Sequence, residues 1–145
     1  MFTINYIGRS CSIEGIEEMT EDELRYYFYT GDVVLKSSNG NINLEWEWIP
    51  LFDFSLNMKR IAGVLSKGGG DEVERFEFTE SDDLLFFERK EDLIKISTSF
   101  STEEIIVKFN EFEAGVGDFL KTIMLSINDL VGDDLFRKKF ENFLN

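Results

Sequence analysis

Tyr26-Tyr27-Phe28-Tyr29-Thr30-Gly31-Asp32-Val33-Val34-Leu35, then Ser37-Ser38-Asn39-Gly40, then Asn41-Ile42-Asn43-Leu44-Glu45-Trp46, is the stretch that decides the fold. Two runs rich in aromatic and β-branched residues flank an Asn-Gly pair. Such a pair marks a β-hairpin, because a two-residue type I′ turn needs positive φ at both central positions. The chain is therefore read outward from an antiparallel pair of strands.

Toward the N-terminus, Phe2, Ile4 and Tyr6 alternate with Thr3, Asn5 and Ile7, the period of a strand with a buried face. Residues Gly8 to Met19 show no clear period, and Thr20-Glu21-Asp22-Glu23 fits a capping box that opens a short helical turn ending near Leu24 or Arg25. Toward the C-terminus, Pro50 suits the first turn of a helix, where no backbone donor is missed. Leu51, Phe54, Met58, Ile61 and Leu65 recur at helical spacing until Lys67-Gly68-Gly69-Gly70 ends the pattern, and this helix is expected to lie across the sheet.

Val73 to Thr79, Leu84 to Arg89, Leu93 to Phe100 and Glu104 to Phe109 read as successive strands, the first two turns being Ser81-Asp82-Asp83 and Lys90-Glu91-Asp92. Connections that short imply an antiparallel meander with one covered face. Phe112, Val116, Phe119, Ile123, Ile127 and Leu130 form a stripe over residues 110–131, although Gly115 and Gly117 each cost about 1 kcal/mol relative to Ala. After Gly132 a last short helix buries Phe136, Phe140 and Phe143 and turns Arg137, Lys138 and Lys139 outward. The expected fold is α+β, one domain over residues 1–145. It has a single antiparallel sheet of five or six strands (N-terminal strand, Asn-Gly hairpin, C-terminal meander), with two or three helices packed mainly on one face.

A chain of 145 residues buries about 70% of the surface its unfolded form exposes, enough for a core without metal or disulfide. Fifteen Phe, four Tyr and two Trp argue against disorder. The lone Cys11 has no internal disulfide partner, and a cytoplasmic setting is the default that follows. MFTINYIGRS lacks a basic region followed by an apolar core, and no uncharged apolar run approaches the roughly 18 residues of a bilayer span. Twenty-nine acids against fifteen bases give a net charge of −14, which repels phosphate backbones and anionic lipid. Nucleic acid and membrane are therefore excluded as expected partners. The same charge either only solubilises the chain or steers a basic partner onto it.

The chain holds no histidine, which removes the commonest general base, the usual triads and most zinc sites. Cys11 has no imidazole to activate it and reads as an incidental thiol. Acid pairs such as Glu17-Glu18, Asp82-Asp83, Glu103-Glu104 and Asp133-Asp134 are what so negative a chain contains by number alone, and no calcium-loop pattern accompanies them. Gly68-Gly69-Gly70 follows a helix and leads into Asp71-Glu72, a connector rather than a phosphate loop. No catalytic residue, cofactor site or metal site is expected, and the chain reads as a non-enzyme.

Trp46-Glu47-Trp48 sets two indoles on one side of an extended segment. In the bland reading they cover the following helix. In the functional reading at least one is a binding hot spot, with Glu45 and Glu47 adding charge for a basic partner.

The order of the hairpin, then Trp48-Ile49-Pro50-Leu51-Phe52-Asp53-Phe54 opening a helix, then an acid-rich meander and a long helix resembles small bacterial immunity-type proteins of polymorphic or contact-dependent toxin systems. The likeness covers roughly residues 30–130. It implies non-catalytic binding to a cognate toxin through an acidic surface set against a basic site. The expected contact surface is the exposed meander face and its turns, with Glu77, Asp82, Asp83, Glu88 and Glu91, together with Trp46 and Trp48. The competing expectation is a structural or adaptor domain that self-associates through an aromatic patch or a sheet edge.

Overall fold

The computed structural model describes residues 1–68 and 71–144. Gly69 and Gly70 of the expected glycine connector lie outside the described residues. In chain order the elements are β1 (Thr3–Cys11), α1 (Glu21–Tyr26), β2 (Tyr29–Ser37), β3 (Gly40–Pro50), α2 (Leu51–Ser66), β4 (Asp71–Glu77), β5 (Leu84–Lys90), β6 (Leu93–Thr98), β7 (Glu104–Lys108), α3 (Phe109–Val131) and α4 (Asp133–Phe140). Single turns of 3₁₀ helix stand at Ile16–Glu18 and Glu141–Leu144.

The fold is α+β, but its strands form two sheets and not one. One sheet has the order β1-β2-β3 and the other β4-β5-β6-β7, with every neighbouring pair antiparallel. The single sheet of five or six strands is thus corrected to sheets of three and four strands. The two or three helices expected become four among the described residues. Nor do the helices cover one face of one sheet: α2 touches β2, β3 and β4, and α3 touches β1, β6 and β7. The physical reason is that every ladder joins strands consecutive in sequence, the pairing with the smallest loop-closure cost. The 16-residue helix α2 separates β3 from β4, so the strand that follows it starts a new sheet.

The two sheets meet where the hairpin tip reaches the β7 edge. Asn39 Nδ2 donates to the carbonyl oxygen of Ile106 at 3.0 Å. The register pairs Ser37 with Gly40, so Ser38 and Asn39 are the turn residues, and neither has positive φ. The hairpin forms, but its turn sits one residue earlier than Asn-Gly suggests. The Ser37 hydroxyl closes it by bonding the Asn39 side chain and accepting from the Asn39 N–H.

The capping box forms as the sequence indicates. Thr20 Oγ1 accepts from the Glu23 N–H at 3.2 Å, and the Glu23 carboxylate accepts from the Thr20 N–H at 3.1 Å. The α2 stripe is wholly buried at Leu51, Phe54, Met58, Ile61 and Leu65. The α3 stripe is buried from Phe112 to Ile127, whereas Leu130 is exposed. These stripes and the inner faces of both sheets form one contiguous core. Phe140 of α4 closes it against Phe28 and Phe52, with ring centroids 5.4 Å from each. Among the described residues no helix is long and apolar enough to cross a membrane.

Candidate functional site

The local structure at the Trp pair starts from one buried aspartate. Gly31 pairs with Ile49 and Val33 with Leu44, so Asp32 alone faces the stretch from Glu45 to Trp48. The surplus residues make a wide bulge, a device that re-aims side chains at the rim of a sheet. Asp32 is 2% exposed, and its Oδ1 accepts the Glu47 N–H at 2.8 Å. Its Oδ2 accepts from Arg9 Nε at 2.9 Å and Arg9 Nη2 at 2.6 Å. Those hydrogen bonds raise the Arg9 pKa further above its ordinary value. At the apex Glu47 takes φ 68°, a left-handed conformation that costs a non-glycine residue roughly 1–2 kcal/mol. The fixed carboxylate holds the backbone in that conformation.

The bulge presents Trp46 and Trp48 stacked on each other, with centroids 5.4 Å apart and planes 20° apart. Both rings are half-buried. Trp46 meets the edges of Phe78 and Phe100 at 5.0 Å each, and Trp48 meets Phe78 at 6.0 Å. Phe78 follows β4 and Phe100 follows β6, so the pair closes the joint between the first sheet and one end of the second. Phe78 in turn stacks on Phe54 of α2. Glu45 and Glu47 flank the pair and are both exposed.

Not all the acids picked from the sequence come together there. Glu77 ends β4, and the Phe78 N–H bonds the carbonyl oxygen of Asp83 at 3.4 Å, which ties the turn bearing Asp82 and Asp83 to the ring that both indoles touch. Glu91 lies in the next turn, at the opposite end of β5, about 20 Å away for a strand of that length. Glu88 is held between Lys90 at 3.8 Å and Lys95 at 3.9 Å. Glu77 has an exposed partner in Arg75, 3.3 Å away.

A second buried carboxylate escaped the sequence reading. Asp53 is 4% exposed, and its Oδ1 accepts from Arg25 Nε at 2.9 Å and Nη2 at 2.6 Å. Burial raises its pKa, against the opposing pull of Arg25. It borders a groove of about 300 Å³ lined also by Tyr26, Asn57, Arg60 and Arg75. The signal was present in both cases. An aspartate inside an apolar run, as in Gly31-Asp32-Val33 and Phe52-Asp53-Phe54, has to be buried with a partner or break the pattern.

Cys11 ends β1 opposite Tyr29, and burial pushes its thiol pKa up, away from the thiolate a nucleophile needs. Among the described residues no group of three or more Cys, Asp or Glu is placed to hold a metal ion. Comparison of the chain with protein-family models, with curated proteins and with solved structures finds no match.

Proposed function

We propose that the protein is a non-catalytic binding module that seats a basic protein partner on the acid-flanked Trp46–Trp48 pair. In the immunity-type reading that partner is a cognate toxin, which the module neutralises in the cytoplasm. The observation that carries the proposal is the bulge itself. A buried aspartate and a left-handed glutamate hold two large, partly exposed aromatic rings in a fixed stack between acids. Backbone strain gathers where a surface is shaped for use. Tryptophan gives a partner much contact area for few lost rotamers. Glu45, Glu47, Glu77, Asp82 and Asp83 supply the rim charge, while Glu88, well along β5 from the turn that bears Asp82 and Asp83, and Glu91, at the far end of β5, stay outside the contact.

The test is capture from lysate of the source cells with the tagged protein and with a Glu45→Lys/Glu47→Lys variant, washed at low and high salt. Both substituted side chains are exposed, so the variant keeps its fold, checked by circular dichroism. One basic protein held stoichiometrically, weakened by salt and lost by the variant, is the expected result. Equal capture by the variant removes the Trp end as the seat.

A further inference from the structure

The outer face of the second sheet has no covering element among the described residues, and its charges alternate in sign. Strand alternation turns Val73 and Arg75 of β4, Phe86 and Glu88 of β5, Lys95 of β6, and Glu104 and Ile106 of β7 away from the core. Val73 is 59% exposed and Ile106 43%. The register aligns these residues in rows across the four strands. One row runs Val73, Glu88, Lys95, Ile106, and the next runs Arg75, Phe86, Ser97, Glu104.

We propose that this face binds a second copy of the chain, face to face, about a two-fold axis parallel to the strands. Such an axis lays β4 over the partner copy's β7, and β5 over its β6, without shifting the rows. Val73 then meets Ile106, Glu88 meets Lys95, Arg75 meets Glu104 and Phe86 meets Ser97. Each contact is made twice, as an isologous interface requires. Apolar falls on apolar and opposite charges fall on each other. A two-fold perpendicular to the strands and centred on the same rows would instead set Glu88 on Phe86 and Ile106 on Glu104.

The occupant follows from charge. A chain of net charge −14 repels its own copies over most of its surface, whereas on these rows the two signs balance and complement themselves. Four strands of this length bury about 1,000 Å² in total when stacked, the low end for a specific interface and so a weak, concentration-dependent dimer. The Trp46–Trp48 pair packs on Phe78 and Phe100, off this face. Glu77 of the proposed rim also lies on this face and pairs with Arg75 at 3.3 Å, so Glu104→Arg, on the far edge strand, is the variant that separates self-association from the proposed partner binding.

The test uses Arg75→Glu and Glu104→Arg, alone and mixed, in sedimentation equilibrium from about 1 to about 500 μM. Both side chains are exposed, and they sit on opposite edge strands of one sheet, so within a chain they do not meet. Each single variant sets like charges on each other twice and is expected to weaken the dimer at least about tenfold. An equimolar mixture restores both pairs in the heterodimer and is expected to associate as tightly as the unmodified chain. A general charge effect would instead weaken Arg75→Glu and strengthen Glu104→Arg. A chain that stays monomeric throughout, or a dimer indifferent to both substitutions, overturns the proposal.

Discussion

Gly115 and Gly117, two residues apart in α3, are expected to respond to alanine in opposite directions. Alanine favours a helix interior over glycine by about 0.8–1.0 kcal/mol at either position. At Gly117, which is exposed, an added Cβ meets nothing within 4 Å. The full gain is then realised, and Gly117→Ala should raise the melting temperature by about 2–4 °C. At Gly115 the same Cβ would stand 2.6 Å from Phe2 Cδ2 and 2.7 Å from the Phe2 carbonyl oxygen. Ordinary contact begins at 3.4 Å. The Phe2 ring is 2% exposed and packed 5.6 Å from Phe112, and its carbonyl oxygen belongs to the backbone that enters the β1–β2 ladder. Relief therefore requires moving strand against helix. Overpacking of that kind costs about 1–3 kcal/mol, which exceeds the propensity gain and leaves Gly115→Ala destabilised by about 1 kcal/mol. Paired urea titrations read a separation of about 2 kcal/mol between the variants. A Gly115→Ala protein as stable as the unmodified chain, or more so, would refute the close packing of β1 on α3.

Glu47→Gly should stabilise the chain by roughly 1 kcal/mol, because glycine takes the left-handed φ of the bulge without the Cβ penalty; a lower urea midpoint counts against strain at that position. Asn39→Ala removes the side-chain bonds to Ile106 and to the Ser37 hydroxyl, and at these exposed positions the expected loss is about 1–2 kcal/mol, with faster amide exchange in β7; unchanged exchange in β7 would show that the tip does not hold the sheets together. For Asp53, burial sets the folded pKa above its ordinary 3.8, so the native state keeps its proton to higher pH than the unfolded state. The stability of the unmodified chain relative to Asp53→Asn should therefore fall as pH rises from about 3.8 through the folded pKa and then level off; a difference that grows with pH has the wrong sign for a desolvated carboxylate.

Much of the secondary structure was legible because each element carries its own period. The α2 stripe, the α3 stripe and the four meander strands can be read from apolar spacing alone, and the Thr20 capping box fixes α1 from four residues. Periodicity tells which face of a strand is buried, not which strand is its neighbour. Nothing in Val73 to Thr79 distinguishes a strand added to the hairpin from one that opens a second sheet, since both need one apolar face against α2 and α3. The turn at Asn39 was misplaced for a related reason. A local glycine preference names the residue that tolerates positive φ, whereas the cross-strand register of Leu35 with Ile42 and of Val33 with Leu44 decides where the turn closes.

The candidate site was legible only in part, and the parts differ in kind. That Trp46 and Trp48 share a side follows from their spacing, yet their stack depends on Asp32, a residue 14 positions earlier than Trp46, which reaches across a bulge that no local pattern announces. The acids lie farther apart than their shared type suggests. Consecutive hairpin turns lie at opposite ends of the strand they share, so Asp82-Asp83 and Glu91 were separated by topology as soon as β5 was drawn between them. Glu88 falls opposite Lys95 and two residues from Lys90 on the same face of the meander, a neighbourhood that residue type alone does not show. A net charge of −14 therefore does not locate a surface. A candidate surface is marked instead by the bulge, which fixes the rings of Trp46 and Trp48 in a stack and leaves Glu45 and Glu47 exposed, where both act on the Arg9 guanidinium.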